Sequence, residues 1–436
     1  MPSLADAPNL GVGNPFAGSN PKKKLKALSK TTRSHYCGAV TKTLVVFGLV
    51  LAGMFPGSFW LHGQDNNSLL QQGIEAEKNG DYQAAIATFT KAIQLDPKNA
   101  QAYLERGNAY YQKIDYDHAI HDFGQAIRLE PQNAGAYFNR GNTYAIKGGY
   151  DQAISDFAQV IVLTPKDAQA FNNEGDAYTQ KGYFRMAIID FNEAIQLDPQ
   201  NIQAYLNRSH AYLMLGSFDS AISDCDQAIQ LDPKNALAYV NRGEANERKG
   251  KDDNAFADFD QAIQLDPKNA RAYVSRGSIL DRKGYHDKAI AECDQALMLD
   301  PNNAQAYANR AHASFEKGEY GDAASDDKQA IQLDPGNVAA YNNLAWLRAT
   351  CSHPVFRDGK VAVLAATRAC ILSQWKDPSM VDTLAAASAE AGDFDGAVKW
   401  EKYCLSFPNL NASDAAEAKN RLALYQGRQP YHAADK

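Results

Sequence analysis

A side chain suited to binding a polypeptide backbone recurs at regular spacing along much of this sequence. Asparagine carries one carbonyl acceptor and two amide donors, so a single side chain can hydrogen-bond a peptide group at both ends. Such bonding recognises an extended chain without reading its sequence. The series that could do this is Asn139, Asn173, Asn207, Asn241, Asn309 and Asn343, with Ser275 inside it and Glu105 before it. The alternative is that these asparagines bond neighbouring helices or the adjacent arginines: Arg140, Arg208, Arg242 and Arg310.

Other chemically capable residues do not form catalytic or metal-binding sets. His118 and His121 share a predicted helix face, but no cysteine or carboxylate completes a metal site with them. The sequence has no Cys-x-x-Cys pair and no glycine-rich phosphate loop. We therefore predict no catalytic residue, metal, cofactor or small-molecule substrate. The alternative is an active site in the irregular region 346–410, which lacks a nucleophile with a base and an orienting partner.

Eight prolines, from Pro97 to Pro335, mark the elements that position the asparagines. The number of residues between consecutive prolines is constant and equals that between Pro97 and Pro131. The first belongs to Leu95-Asp96-Pro97 and the last to Leu333-Asp334-Pro335, and an Asn or Asp stands two residues after each proline. A proline just past a helix end, followed by an N-cap residue type, ends one helix and begins the next. One stop and one start per period predicts an all-α stack of helix hairpins.

The side chains within the repeating unit support closely packed helices. Numbered from residue 66, the units have Gly, Ser or Ala at position 8 and Ala at position 20, with Ala or Val at position 27. Small residues let two helices approach closely. Position 4 is aromatic from Tyr103 to Tyr307, and Lys-Gly pairs such as Lys147-Gly148 are typical of a helix end. Each unit is therefore predicted to contain a helix A, a tight turn and a helix B.

These positions resemble the tetratricopeptide repeat over residues 66–337. The resemblance implies a right-handed α-solenoid of eight hairpins, in which helix A lines a concave groove that binds other polypeptides. It places the six asparagines, at position 6 of helix A, in that groove, similar to the asparagine ladder of O-linked N-acetylglucosaminyltransferases. The carboxylate clamp of chaperone-binding members needs a basic residue at position 5, where this chain has residues such as Leu104 and Val240.

The period breaks down after Trp346. Residues 338–408 are predicted to form divergent repeats with an inserted loop over 348–360, and 409–436 a capping helix and tail. That helix, 412–425, would begin at Asn411 or Ser413 and present Glu417, Lys419 and Arg421 to solvent.

A disulfide between Cys351 and Cys370 is possible if the compartment is oxidising, with two free thiols as the alternative.

Two positions of the repeat lose their aromatic residue in the middle of the array. Position 17 becomes Asp252 and His286 in units six and seven, and position 11 becomes Asn246 and Leu280. The loss of these rings predicts the weakest stacking across 236–303.

The N-terminal region indicates a membrane segment. Residues 1–38 read as a disordered basic cytoplasmic tail, and 39–61 as a transmembrane or signal-anchor helix, with the apolar run 43–61 long enough to cross a bilayer. Residues 62–65 would link it to the repeats. Because the basic residues precede the run, the repeats are expected outside the cytoplasm. The alternative is a cleaved signal and a secreted or periplasmic protein.

The charge distribution separates the two parts of the chain. Residues 1–64 carry seven basic residues and one acidic residue, whereas the whole chain has a net charge of −7. Acidic repeats argue against nucleic-acid binding, which needs a basic surface. Their Asp and Glu residues are expected to lie mostly on solvated helix faces. The sequence thus predicts a non-enzymatic, membrane-tethered scaffold for other proteins, with a secreted soluble binding or assembly factor as the alternative.

Overall fold

The computed structural model describes residues 57–434, where regular structure is entirely helical. Eight hairpins occupy residues 66–333, so the predicted repeat is confirmed. Their helices are α1 (Gly57–Lys78), α2 (Tyr82–Leu95), α3 (Ala100–Gln112), α4 (Tyr116–Leu129), α5 (Ala134–Ile146), α6 (Tyr150–Leu163), α7 (Ala168–Gln180), α8 (Phe184–Leu197), α9 (Ile202–Met214), α10 (Phe218–Leu231), α11 (Ala236–Arg248), α12 (Asp252–Leu265), α13 (Ala270–Arg282), α14 (His286–Leu299), α15 (Ala304–Glu316) and α16 (Tyr320–Leu333). Odd-numbered helices are helix A of each unit, and even-numbered helices are helix B.

The start and stop signals act as the sequence predicts. Asn99 caps α3 by accepting a hydrogen bond from the Ala102 amide at 3.0 Å, which satisfies one of the amides left over at a helix start. The other seven Asx residues after the prolines cap their helices in the same way. Gly148 ends its helix with a φ of 78°, a conformation that costs side-chain-bearing residues energy.

The core of five hairpins contains a phenylalanine ring packed on a glycine. Phe259 of α12 is fully buried against Gly243 of α11, where an added Cβ would lie 2.6 Å from the ring. Other units repeat this pair, for example Phe123 with Gly107. The close contact explains why a glycine occurs in the middle of helix A, where it otherwise costs about 1 kcal/mol.

The C-terminal part continues the hairpins irregularly. After Thr350, a loop with a short 3-10 turn at Pro354–Phe356 leads into the next helix, so the insertion is shorter than predicted. The helices are α17 (Val338–Thr350), α18 (Gly359–Leu372), α19 (Pro378–Glu390), α20 (Phe394–Cys404) and α21 (Ala412–Gln426). Asn411 caps α21, as one of the two predicted options.

One surface prediction in this part is wrong. Arg421 is 7% exposed rather than facing solvent, because its guanidinium bonds Asp382 at 2.9 Å and lies over the rings of Trp346 and Tyr431. Helix α21 therefore packs a charged residue inward, while Glu417 and Lys419 remain exposed.

The cysteine and N-terminal predictions have different outcomes. Cys351 and Cys370 are buried in two different apolar clusters and are not joined by a disulfide. Residues 62–65, expected as a linker, lie within α1. None of the helices between residues 57 and 434 is both long and apolar enough to cross a membrane. The tail 1–38 and most of the predicted membrane helix 39–61 lie outside the described residues.

Candidate functional site

The faces of the A helices carry clefts that cross from one unit to the next. A cleft of about 320 Å³ is lined by Glu77 of α1, Asn108 of α3 and Asn139 of α5. A second, of about 200 Å³, includes Asn207 of α9 and Asn241 of α11 and extends from α7 to α13. Because each cleft is bounded by at least three successive A helices, these helices form a shared surface.

Asn139, Asn207 and Asn241 line these clefts, and all six asparagines of the series are already hydrogen-bonded within the array. Each donates its side-chain amide to the preceding A helix: Asn139 to Asn108 Oδ1 (2.8 Å), Asn173 to Asn142 Oδ1 (2.9 Å), Asn207 to Asn172 Oδ1 (3.2 Å), Asn241 to Ser209 Oγ (3.2 Å), Asn309 to the Val274 carbonyl (3.3 Å) and Asn343 to the Ala308 carbonyl (3.0 Å). The helix-to-helix bonding that the sequence left open is therefore formed. Peptide binding by the same residues stays a prediction, since each amide has a second donor hydrogen.

The arginines that follow these asparagines do not bond them. Arg242 instead binds Asp258 of helix B in its own unit and Asp226 of helix B in the preceding unit, at 2.7 and 2.6 Å. Asp258 is only 6% exposed. The same intra-unit pair joins position 7 to position 23 in five more units, as Arg106–Asp122, Arg140–Asp156, Arg208–Asp224, Arg276–Glu292 and Arg310–Asp326.

The acidic residues of these pairs are exceptions to the expectation that Asp and Glu lie mostly on solvated faces. The carboxylates at position 23 face helix A across the hairpin, where a bidentate guanidinium offsets the cost of burial. A signal was available in the sequence, because Arg at position 7 accompanies Asp or Glu at position 23 in six units.

Unit four lacks the pair and contains two facing acids. Glu174 replaces the arginine at position 7 and is 8% exposed, opposite Asp190 at position 23. Burial raises the pKa of Glu174 to about 7. Burial, together with the neighbouring Glu174 and Glu193, raises the pKa of Asp190 to about 8. Asp190 Oδ2 has no hydrogen-bond partner within residues 57–434. This hairpin therefore holds its acids protonated at mildly acidic pH and unfavourably charged above it.

A third concave site lies where the regular repeats meet the divergent ones. It is a cavity of about 450 Å³ lined by residues of α15 to α17 and α19 to α21, including Asn343 of the asparagine series. Arg421 on its wall bonds Asp382 and Glu417. Burial and the neighbouring Asp382 raise the pKa of Glu401, which lies next to Arg421, above its usual range.

The histidines do not assemble into a metal site. His118 bonds Asp115 at 2.8 Å, and His121 approaches Asp122 at 3.3 Å. In the part of the chain that the structure describes, no three His, Cys, Asp or Glu side chains are grouped so as to hold a metal ion.

Family models of the tetratricopeptide repeat match most of the hairpins. One matches residues 78–113, 107–148, 141–182 and 175–216, a second 206–270 and a third 270–303. Together they span 78–303, just over half of the chain. No curated protein matches the chain.

Several solved structures resemble the chain at low sequence identity. A tetratricopeptide repeat protein from Parabacteroides merdae is 20% identical, with a TM-score of 0.49, over 58% of this chain and 99% of that one. A MamA protein is 27% identical, with a TM-score of 0.37, over 40% and 96%. Yeast Tom70 is 15% identical, with a TM-score of 0.42, over 84% and 96%.

Proposed function

Because the chain belongs to the tetratricopeptide repeat family, we propose that it is a non-enzymatic scaffold whose A helices hold extended segments of other proteins. Repeats of this family generally bind proteins. The observation that carries the proposal is the series of clefts crossing successive A helices, with asparagines in each. A partner lying across several A helices would contact more than one residue of such a cleft.

The composition of the clefts suits a partly apolar partner. In the second cleft, Leu206 and Leu237 stand beside Asn207 and Asn241, and Leu237 is 40% exposed. Apolar contacts supply affinity, while amides supply hydrogen bonds to a backbone. Since these amides also bond the preceding helix, a bound peptide would add to these bonds or replace some of them.

Site-specific photo-crosslinking tests which face binds. A p-benzoylphenylalanine at Gln180, an exposed cleft residue on α7, is expected to crosslink other polypeptides. The matched control is Gln196, an exposed glutamine on helix B of the same unit. Crosslinking at Gln196 equal to that at Gln180, or none at either position, would contradict the proposal.

The contribution of the asparagines is tested on the partner so captured. Replacing Asn173, Asn207 and Asn241 by Ala is expected to weaken its binding by about tenfold or more, since each lost hydrogen bond is worth about 0.5–1.5 kcal/mol. Thermal melting separates this effect from the loss of bonds between helices. Unchanged affinity in a folded triple variant would remove the asparagines from the binding site.

We also propose that residues 43–61 tether the scaffold to a membrane, with the repeats outside the cytoplasm. The support is the uncharged run between Lys42 and Asp65. A membrane pellet washed with carbonate should retain the protein, and peptides from residues 1–42 should be detected in it by mass spectrometry. Release into the supernatant with those peptides absent would favour the secreted alternative.

A further inference from the structure

Asp327 occupies a position that the repeat elsewhere fills with a buried aromatic ring. Position 24 of helix B is Phe in five units and Cys in two; those residues are Phe89, Phe123, Phe157, Phe191, Cys225, Phe259 and Cys293. Asp327 takes this position in the eighth unit and is as deeply buried as the rings, at 1% exposed. A carboxyl group therefore stands where the fold itself requires only an apolar side chain.

This carboxyl group is not fully satisfied by its surroundings. Its Oδ1 accepts no hydrogen bond from any residue between 57 and 434, whereas its neighbour Asp326 binds Arg310 at 2.7 Å. Burial raises the pKa of Asp327 well above its usual range. A buried carboxyl oxygen without a donor costs stability, so its presence at a core position indicates a role other than packing.

Asp327 lines the 450 Å³ cavity together with a second unsatisfied acceptor. Asn342 Oδ1 is also buried without a hydrogen-bond partner in the described chain, and it belongs to the same cavity wall. Phe315, Trp346 and Leu410 provide apolar surface beside these two oxygens. The cavity thus offers acceptors next to a surface suited to a hydrocarbon stem.

The charges around the cavity favour a cation. Asp377, Asp382, Asp414 and Glu417 add carboxylates to its wall. The guanidinium of Arg421 is already bonded to Asp382 and Glu417. A compact ammonium group with three donor hydrogens can bond Asp327 and Asn342 together.

We propose that this cavity binds the ε-ammonium group of a lysine in the polypeptide held along the A helices. The inference rests on the proposed function. Asn343, the last asparagine of the series, lines the same cavity, so a segment following the A helices would reach it. The lysine stem would pack on Phe315 and Trp346, and its ammonium would donate to Asp327 and Asn342.

The test uses the full chain and three sets of fluorescein-labelled decapeptides, degenerate except for a central Lys, Nε-acetyl-Lys or norleucine. Fluorescence polarisation should show the Lys set binding about tenfold tighter than the other two, since one charge-assisted hydrogen bond supplies about that factor. Asp327→Asn keeps the shape of the side chain and should abolish this preference without lowering the melting temperature. Asp322→Asn, at an exposed position of the same helix, should leave it unchanged.

Each result bears on one proposal. Equal binding of all three sets overturns the lysine site but leaves the scaffold standing if Gln180 still crosslinks partners. A Lys preference that survives Asp327→Asn also overturns it. Saturation by free 1,5-diaminopentane that does not compete with the Lys peptides would assign the cavity to a small amine instead. Failure of every set, together with absent crosslinking at Gln180, counts against the scaffold itself.

Discussion

Arg208 binds Asp224 through two parallel hydrogen bonds, from Nε at 2.8 Å and from Nη2 at 2.6 Å. The arginine belongs to helix A and the aspartate to helix B of one hairpin, and Asp224 is almost completely buried. Arg208 also donates to Asn192 of the preceding unit at 2.6 Å. One guanidinium therefore joins three helices.

Removing only the arginine should be costly. Arg208→Met leaves the Asp224 carboxylate buried without its partner, and we expect a loss of about 3–5 kcal/mol in the free energy of unfolding. Arg208→Met with Asp224→Leu should lose much less, because no orphaned charge remains. Urea unfolding of the two variants checks this. Equal losses would show that the pair contributes no coupling.

Restoring the missing pair in unit four should stabilise the array. Glu174→Arg places a guanidinium opposite Asp190, and at pH 8 we expect a gain of about 1.5–3 kcal/mol, the value of a hydrogen bond to a charged group. Glu174→Gln, which removes the repulsion but adds no cation, should gain less. Thermal melting at pH 8 ranks the three proteins; a variant order with Gln above Arg would contradict the expectation.

The wild-type protein should lose stability as pH rises through these acids. The folded pKa values of Glu174 and Asp190, about 7 and about 8, lie above those of unfolded carboxyls. Their contribution is fully present below pH 4 and is lost as pH rises through 7 and 8. The melting temperature of Glu174→Arg should therefore fall less than that of wild type between pH 6 and 9. Parallel curves would show that other groups govern this range.

Glycine at position 8 should be required only where an aromatic ring faces it. In Gly243→Ala, the new methyl group would lie 2.6 Å from the Phe259 ring, so we expect a loss of about 1–3 kcal/mol from overpacking. Gly277→Ala is the matched control, because the nearest atom lies at 3.2 Å and Cys293 is small. Circular-dichroism melts should show the control near wild type. Similar losses in both would exclude the ring as the cause.

The segment 236–303 should exchange its amides faster than the units before it, and more so at high salt. Where other units have aromatic residues, Asp252 pairs with Arg282 at 3.0 Å and His286 with Asp281 at 2.7 Å. The Asp252–Arg282 pair is partly exposed, so it contributes little and is screened by salt. Hydrogen exchange in dilute and in concentrated NaCl measures this. Uniform protection along the array would contradict the prediction.

The helices, caps and turns were predictable because they depend on residues close in sequence. Asn99 and Gly148 act through their own backbone surroundings, so their types and spacing sufficed. The buried ion pairs between positions 7 and 23 were not predicted, because burial of a residue such as Asp224 depends on Arg208, its partner on the other helix of the hairpin. Arg421 was misplaced for the same reason, since its partner Asp382 lies on α19. Asp327 was identifiable as an exception at a Phe position, but its cavity is formed by helices of the divergent region.

The side-chain hydrogen bonds between the regular units run in one sense. Asn173 and Arg208 each reach back to the unit before their own, and the same positions do so in other units. Each regular unit therefore donates hydrogen bonds to the unit before it and accepts hydrogen bonds from the unit after it. A tandem duplication copies both halves of each junction, so the gene could lengthen by whole units without inventing a new contact, and any partner surface would grow by the same step.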